Sequence, residues 1–458
     1  MRIPKLETQI GIKVYATRSE GIGGTIKRDA EDFIVEEILV DGSKATINRS
    51  PKMSPLRSSC DKDRFLICAL IKRNWDTISA VKAVADQLEI GTDRIQYAGL
   101  KDTKADTAQY VTIEGISSSD VKKVHLKDLM LVSMGYLHHE LSQFYLLGNS
   151  FQLRISRIHL SESAVRRRIR RVGEELTQEG GVPNFFGHQR FGTIRPITHH
   201  VGKAILKRDF RKATMLFLAK PSPLEHPESR CARKALQMTA DFRQALKDFP
   251  IQLRYERSML ARLVRKPDDY VGAFRKLPLR LFELFTEAYQ SYLFNELLSR
   301  RLMKGLSLSQ VETGDYAVNL ERSGLPILAM PKTVSSGNIS EISSAIKSGR
   351  MRLAIPLLGY RHRHSVGVNE EIEKQILEEE GVSISDFRVR DAPEVSLKGK
   401  LRTAIEPLID FRLREVSSDS MEPMAVEANM SFILHRGSYA SVALRELMKQ
   451  QSLVKAGF

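Results

Sequence analysis

The sequence predicts an α+β fold in which both ends of the chain build one domain and a second domain is inserted between them. Both ends carry short apolar runs that are continuous or alternate with polar residues, which is typical of strands. The middle of the chain has mostly helical apolar spacing, and a glycine-rich break at residues 180–184 precedes it. We therefore predict one domain from residues 1–180 and 405–458 and an inserted domain from residues 181–404.

The first strand and helix signals come from an apolar run and a periodic stretch. Residues 64–71 are almost all apolar and predict a buried strand. Asp76 is a good N-cap for the stretch at 78–88, where apolar residues recur every three or four positions and predict a helix. We expect Gly91 to end this helix.

A polar loop then lies between two short strand signals. Residues 95–98 predict a strand that stops at Gly99, and residues 109–113 predict the next one. The intervening residues 100–104 are polar and are expected to form a tight loop. Alternation of apolar and polar residues over 151–158 predicts a further strand.

The remaining elements follow in the same way. Residues 162–178 predict a helix, residues 198–305 are mostly helical, and residues 306–404 are mixed and richer in glycine and serine. Strict alternation over 426–434 predicts a strand, and residues 439–449 predict a closing helix.

The charge of the chain indicates a polyanionic partner. The 458 residues include 71 lysines and arginines against 55 acidic residues, a net charge of +16. This excess favours nucleic acid first and an anionic membrane surface second, whereas a solvated basic surface without a partner is the alternative. Five arginines between residues 166 and 171 are either a phosphate track or a solvated helix face.

Cysteine content and hydropathy favour a soluble cytoplasmic protein. Cys60, Cys68 and Cys231 form no C-x-x-C pair and cannot make a disulfide framework. Residues 1–17 lack the apolar core of a signal peptide. No run of about 18 apolar residues occurs, so we expect no membrane span.

Asp102 is the first candidate catalytic residue. It lies in a loop that follows Gly99 and is flanked by Lys101 and Lys104, whose ammonium groups favour an ionised carboxylate. A fixed, ionised carboxylate can act as a nucleophile or a base, while a turn aspartate bonded to its own backbone is the alternative. A metal site formed with Asp106 is disfavoured, because the strand signals exclude the helical spacing that would align the two carboxylates.

Residues 184–192 combine three phenylalanines, two glycines and an arginine. Phenylalanines on a surface could stack on bases while the arginine contacts phosphate, as in single-stranded nucleic-acid binding. The alternative is a phenylalanine-rich hinge that packs in the core. No Walker motif, G-x-S-x-G or H-E-x-x-H occurs in the chain.

Five segments, in order, resemble motifs of the TruD family of pseudouridine synthases. The segment at 97–109, YAGLKDTKADTAQ, resembles the catalytic motif of the family. The segments at 24–37, 148–153, 181–192 and 436–446 are similar to its other recognisable stretches. The five together span nearly the whole chain.

The resemblance implies a fold, a reaction and a partner. The fold would be a pseudouridine synthase catalytic domain with a mixed or antiparallel sheet, plus an inserted α/β domain particular to TruD. The reaction would be the isomerisation of uridine to pseudouridine in RNA, with uridine 13 of tRNA as the usual target. Such an isomerisation needs no cofactor and no metal. We expect a cytoplasmic monomer that acts on tRNA without an obligate protein partner and without a membrane.

The resemblance also assigns roles to single residues. Asp102 would be the essential carboxylate, which either bonds covalently to the sugar or base or removes a sugar proton to give a glycal. Phe151 would stack on the flipped uracil, Asn149 would position the Asp102 loop or contact the base edge, and Lys27 would be a cation near Asp102. Three further basic side chains would contact phosphate, namely Lys101, Lys104 and Arg190.

Two other functions remain as alternatives. A non-catalytic RNA-binding protein on the same fold would explain the charge but not Asp102 within a full motif. A metal-dependent nuclease using Asp102 and Asp106 would need Mg²⁺ and would cleave the strand.

Overall fold

The computed structural model describes residues 2–47, 65–362 and 366–458, and within these ranges both ends of the chain meet in one eight-stranded sheet. The strands, in chain order, are β1 (Phe33–Leu39), β2 (Phe65–Arg73), β3 (Ile95–Tyr97), β4 (Asp106–Glu114), β5 (Leu129–Leu137), β6 (Leu146–Ile158), β7 (Val182–Pro183), β8 (Tyr316–Leu320), β9 (Pro326–Thr333), β10 (Met351–Leu357), β11 (Lys400–Thr403), β12 (Ile405–Glu406), β13 (Ile409–Ser418) and β14 (Val426–His435). The order in the large sheet is β13-β14-β6-β1-β4-β2-β5, and β3 pairs with β4.

The large sheet is mixed, and its single parallel pair in the described residues decides where the candidate residues meet. β1 runs parallel to β4, with Ile34 opposite Asp106, while the other neighbouring pairs are antiparallel. Parallel strands begin at the same edge of a sheet. The segment before β1, which carries Lys27, therefore lies beside the loop before β4, which carries Asp102.

The third contributing strand is β6, which lies antiparallel to β1 on its other side. This pairing places Phe151 opposite Val35 and Asn149 opposite Glu37. Since side chains alternate between the faces of a sheet, these four residues share one face.

The helices occupy mainly the middle of the chain. They are α1 (Lys5–Gln9), α2 (Thr77–Gln87), α3 (Ser118–Val121), α4 (Glu162–Glu179), α5 (Thr198–Leu206), α6 (Phe210–Ala219), α7 (Pro227–Thr239), α8 (Phe242–Asp248), α9 (Arg254–Arg265), α10 (Tyr270–Phe274), α11 (Leu279–Met303), α12 (Ile339–Lys347), α13 (Val368–Glu380) and α14 (Ala440–Met448). Helix α11 buries Phe282, Phe285, Tyr289 and Leu293, and all four belong to the largest core cluster.

Helix α4 carries the arginine run. It buries Val165, Ile169 and Val172 and leaves most of the arginines exposed. Arg166 donates to a backbone carbonyl at 3.0 Å, and Arg168 donates to another at 2.7 Å and pairs with a glutamate. The run is therefore the outer face of an amphipathic helix whose inner face packs on the sheet.

Two smaller sheets lie in the second half of the chain and at its junction with the first. A four-stranded antiparallel sheet has the order β11-β10-β8-β9. The short pair β7–β12 joins residues 182–183 to residues 405–406, where the chain leaves and re-enters the strand-rich part. Gly181 permits this approach, because its φ is +140° and a Cβ would lie 2.0 Å from the Glu406 carbonyl oxygen.

The start of the chain packs on the helical part rather than on the large sheet. Ile10 and Ile12 are buried in the same cluster as the phenylalanines of α11. The Asn295 side chain donates to the Ile10 carbonyl at 2.9 Å, and the Ser299 hydroxyl donates to the Gly11 carbonyl at 2.7 Å.

The predicted α+β class is confirmed, but the predicted end of the helix at 78–88 is wrong. Helix α2 ends at Gln87, and the residue that takes up the left-handed conformation is Glu89, with a φ of +54°. Gly91 has a φ of −69° and so does not use its conformational freedom. The strand predicted from residue 64 is observed from Phe65, because residue 64 lies outside the described residues.

Candidate active site

The loop that carries Asp102 is held from both sides by hydrogen bonds. Thr77, the first residue of α2, accepts the Lys101 N–H at 3.0 Å and donates its hydroxyl to Gln109 at 3.0 Å. The amide of Gln109 on β4 in turn donates to the Gly99 carbonyl at 3.2 Å. The loop is thus anchored by a helix start on one side and a strand on the other, as is usual where a rigid scaffold presents a functional group.

A buried lysine fixes the backbone of Asp102 itself. Lys72 on β2 donates its ammonium to the Asp102 carbonyl at 3.2 Å and to the Trp75 carbonyl at 2.5 Å. The side chain is buried, and desolvation lowers the pKa of Lys72 to about 8, although the nearby Asp102 charge raises it. The contact engages only the main chain of Asp102 and leaves its carboxylate available.

The carboxylate of Asp102 pairs with Lys27. The Lys27 ammonium donates to Asp102 Oδ1 at 2.9 Å, and the side chains are 12% and 35% exposed, respectively. The same ammonium lies 4.2 Å from the centre of the Phe33 ring, a cation–π contact that holds it at the edge of the sheet. The Asp102 carboxylate therefore has one ion-pair partner among the described residues and remains accessible.

This pair lines a cavity of about 390 Å³, within the range of small-molecule sites. The cavity is bounded by the segments before β1 and β4, by β6, by the start of α14 and by the last residue of the chain. Its aromatic and polar wall residues include Phe33, Asn149, Phe151, Gln189, Tyr439 and Phe458.

Asn149 and Phe151 stand on the same strand, two residues apart. The Asn149 side-chain oxygen is buried and has no hydrogen-bond partner within the described residues. An unsatisfied buried acceptor costs about 1–3 kcal/mol, so a ligand that donates a hydrogen bond there would relieve that cost. Phe151 is only 5% exposed, because Phe33 packs edge-on at 6.2 Å and Phe432 at 5.4 Å.

The three predicted phosphate-contacting residues are placed differently. Lys101 lines the cavity, but its ammonium forms a buried ion pair with Glu37 at 2.6 Å. Arg190 does not line the cavity and pairs with Glu287 at 2.7 Å. Lys104 is exposed and also lies outside the cavity wall.

Asp106 belongs to a different local structure from Asp102. Its two carboxylate oxygens accept a bidentate pair from Arg73 at 2.8 and 2.7 Å. Asp106 does not line the cavity of Asp102. Throughout the described residues, no group of three or more His, Cys, Asp or Glu side chains is placed to hold a metal ion.

The phenylalanine-rich segment is part of the core, so the hypothesis of a stacking surface there is wrong. Phe185 and Phe191 are fully buried and Phe186 is nearly so. The Asn295 side chain on α11 accepts the Phe186 N–H at 2.9 Å and donates to its carbonyl at 3.1 Å. Composition could not show that the long helix α11 covers this segment.

Sequence reasoning missed several residues of the site. Gln189 and Tyr439 line the cavity and lie within segments that resemble family motifs, but the resemblance implies no role for either. Lys72 is a single lysine at the end of an apolar run, and Phe458 stands outside every motif, so the sequence does not single out either residue.

Every helix within residues 2–47, 65–362 and 366–458 is too short or too polar to span a bilayer.

Over nearly its whole length, the chain is similar to proteins of one family. Residues 9–447 match the family model described as "tRNA pseudouridine synthase D (TruD)". Probable tRNA pseudouridine synthases D from Methanosarcina acetivorans and Thermococcus onnurineus are 38% and 37% identical, covering 99% and 95% of this chain and 99% and 97% of theirs. The crystal structure of a putative TruD from Methanosarcina mazei matches with a TM-score of 0.82 and 36% identity, covering 99% of this chain and 100% of that one.

Proposed function

This chain belongs to the TruD family of tRNA pseudouridine synthases, and from that premise we propose that it isomerises uridine 13 of tRNA with Asp102 as the essential carboxylate. Membership of the family makes the chain an isomerase that acts on tRNA. The target position and the residue roles are our proposal.

The observation that carries the proposal is the pair of Asp102 and Lys27 in the cavity wall. The carboxylate is partly exposed and paired at 2.9 Å, and its backbone is fixed by Lys72 and the Thr77–Gln109 hydrogen bonds. A reactive group on a rigid support is held near one productive geometry, which is a large part of enzymatic rate enhancement.

The reaction rearranges bonds within one nucleotide. The bond from C1′ to N1 breaks, the uracil turns, a bond from C1′ to C5 forms, C5 loses its proton and N1 gains one. Asp102 acts either by a covalent bond to the sugar or base or by removing a sugar proton to give a glycal that later regains it. Both routes leave the overall composition unchanged and require an ionised carboxylate at the start.

The target uridine must leave its stack to reach the carboxylate, at a cost of a few kcal/mol. In our proposal Phe151 contacts the flipped uracil in the cavity. Asn149 accepts a hydrogen bond from the base edge through the oxygen that has no protein partner within the described residues. Lys27 orients the Asp102 carboxylate through their ion pair. Lys101 and Arg190 act mainly through their pairs with acidic residues.

We also propose the domain division that the sequence predicts. The catalytic domain comprises residues 1–180 and 405–458, and the inserted domain comprises residues 181–404. The pairing of β7 with β12 supports it, because these strands bring residues 182–183 and 405–406 together at both proposed boundaries.

The test is tritium release from tRNA that carries uridine labelled at C5. Unmodified tRNA is incubated with the wild type, with Asp102→Asn and with the surface control Asp86→Asn, each with and without a chelator. Release by the wild type and the control but not by Asp102→Asn is the expected result, and the chelator should have no effect. Turnover by Asp102→Asn free of wild-type protein would overturn the role of Asp102.

The target position is tested with the same assay. A tRNA in which uridine 13 is replaced by cytidine should release no tritium. Continued release would reject position 13 while leaving the synthase activity intact. Chelator-sensitive strand cleavage without tritium release would instead support the nuclease alternative.

A further inference from the structure

A basic cleft of about 950 Å³ shares two short segments of chain with the active-site cavity. It is bounded by α1, by the segment leading into α5, by α6 and by residues 451–455 near the end of the chain. Among the described residues, seven lysines and arginines line it, against one acidic residue, Asp209. That carboxylate caps α6 by accepting the Lys212 N–H at 2.9 Å, so it is already engaged.

Three of the seven cations are already used within the protein. Lys203 pairs with Glu380 at 2.6 Å, and Lys207 pairs with Asp386 at 3.2 Å. Arg195 donates to two backbone carbonyls at 2.8 and 3.0 Å. These three side chains therefore bind partners within the protein and need no ligand to neutralise them.

The other four cations have no such explanation. Within the described residues they are exposed lysines of the cleft that form no ion pair, namely Lys5, Lys212, Lys220 and Lys455. They come from three separate stretches of the chain: α1, the region of α6 and the C-terminal segment. Like charges gathered in one concave surface raise its positive potential, which an anionic ligand would neutralise.

A histidine in the cleft responds to this charge. Burial lowers the pKa of His200, Glu380 raises it, and the neighbouring Lys203, Lys220 and Lys212 lower it further. This lowering of the His200 pKa agrees with a surface that disfavours one more positive charge.

Two short stretches connect the cleft with the active-site cavity. Gln189 lines the cavity and Thr193 lines the cleft, and likewise Phe458 lines the cavity and Lys455 the cleft. The first stretch is four residues long and the second is three, and fully extended chain of these lengths spans at most about 14 Å and 11 Å. The cleft and the cavity are therefore close enough for one RNA strand to contact both.

We propose that the lysine cleft, formed by Lys5, Lys212, Lys220 and Lys455, binds backbone phosphates of the RNA substrate a few nucleotides from the target uridine. The proposal rests on the proposed function for the identity of the RNA. Apolar side chains of the cleft, such as Leu6, Ile197 and Leu216, offer contact surface for sugars or bases. The cleft then contributes affinity, while the chemistry stays at Asp102.

The test compares two triple variants of the full chain. One replaces Lys212, Lys220 and Lys455 by glutamine, and the control replaces three exposed lysines outside the cleft, namely Lys234, Lys247 and Lys347. Both remove the same total charge. Dissociation constants for unmodified tRNA are measured from 50 to 300 mM salt, and tritium release at saturating tRNA reports the active site.

The cleft variant should bind tRNA about ten-fold or more weakly at 100 mM salt, and its slope of log affinity against log salt should fall by about two. Its turnover at saturating tRNA and its melting temperature should match the control. Equal affinity and slope in both variants would overturn the proposal. So would binding of inorganic phosphate in the cleft with unchanged tRNA affinity, which would assign the cleft to a free anion.

The binding result separates this proposal from the proposed function. Weak tRNA binding by the cleft variant supports the cleft even where the wild type releases no tritium. Normal turnover with unchanged tRNA affinity would reject the cleft and leave the synthase reaction standing.

Discussion

Replacement of Lys72 by methionine should separate the position of the Asp102 loop from the stability of the fold. Lys72 contacts Asp102 only through its backbone carbonyl, at 3.2 Å, and its second contact is the Trp75 carbonyl at 2.5 Å. Methionine keeps a long apolar side chain in this buried position and removes both hydrogen bonds. We expect Lys72→Met to lose most of its turnover while the protein stays folded.

In Lys72→Met, the gain from removing a buried charge and the loss of two hydrogen bonds nearly cancel. Burial lowers the pKa of Lys72 from 10.5 to about 8, which means that the folded protein disfavours the charged form by about 3 kcal/mol. Each hydrogen bond from a charged donor stabilises the fold by about 1.5–3 kcal/mol. The loss of both bonds in Lys72→Met therefore destabilises the fold by about as much as the removal of the buried charge stabilises it, or by somewhat more. The free energy of unfolding should therefore decrease by no more than about 3 kcal/mol.

The effect on turnover follows from position. A displacement of about 1 Å at a reacting group can reduce the rate about 100-fold. Turnover at saturating tRNA should fall about 10- to 100-fold in Lys72→Met, while the dissociation constant for tRNA stays within about two-fold. The exposed lysine of α2, Lys82, provides the matched control Lys82→Met, which should behave as wild type.

The assay is tritium release with tRNA binding and urea unfolding measured on the same preparations. A turnover equal to wild type in a folded variant would refute the argument that Lys72 positions the loop. A loss of turnover that matches the unfolded fraction at the assay temperature would refute it equally, because stability alone would then explain the loss.

The buried charge also predicts a pH dependence. The folded pKa of about 8 lies below the usual 10.5, so between these values the unfolded state binds more protons and stability rises with pH. Relative to Lys72→Met, the wild type should gain about 2 kcal/mol of unfolding free energy between pH 7 and 9.5. A constant difference over this range would contradict the burial of an ammonium group at this position.

Five further outcomes are expected. Asp102→Asn should bind tRNA within about three-fold of wild type, since basic side chains supply the phosphate contacts; a loss of binding would give the carboxylate a role in affinity. tRNA affinity should fall at least about 100-fold from 50 to 200 mM salt, and a flat response would mean few phosphate contacts. The buried Arg445 forms a bidentate pair with Glu7 at 2.9 Å. Replacing it by methionine should lower the free energy of unfolding, measured in urea, by about 3–5 kcal/mol. Burial raises the pKa of Glu7, but Arg445 and His188 lower it to about 2 overall. The stabilisation from the ionised Glu7 is therefore complete above pH 4.5 and is lost as the pH falls towards 2. Equal acid unfolding of the wild type and Glu7→Gln would contradict this. Gly181→Ala should destabilise by at least about 1 kcal/mol, because its Cβ would overlap a backbone carbonyl of the re-entering strand.

Local structure was largely predictable because it depends on neighbouring residues. The helix predicted at 162–178 is observed at Glu162–Glu179, and the strand predicted at 426–434 is observed at Val426–His435. The exception, at Gly91, arises because Glu89 tolerates the left-handed conformation that glycine usually supplies. The C-terminal stop of a helix depends on packing beyond it, and periodicity does not report that packing.

Long-range placement was not predictable from the residues alone. Lys27 and Asp102 are 75 positions apart and meet because β1 and β4 are parallel, which no local pattern indicates. The resemblance to a family supplied that pair. It could not indicate that Arg190 pairs with Glu287, 97 positions later, since the acidic partner lies outside the motifs.

The loop of Asp102 shows how one short segment can be both rigid and reactive. Thr77, Gln109 and Lys72 all bind main-chain atoms of this loop or one another, and none of them contacts the carboxylate. In the part of the chain that the structure describes, that group has a single ion-pair partner, Lys27, and a third of its surface remains exposed. Backbone supports can therefore fix the distance from the carboxylate to a bound sugar without consuming its hydrogen-bonding capacity. This arrangement explains why the residues that set the geometry come from α2, β2 and β4, outside the motif that carries the reactive group or at its edge, and why the motif by itself identified only the carboxylate.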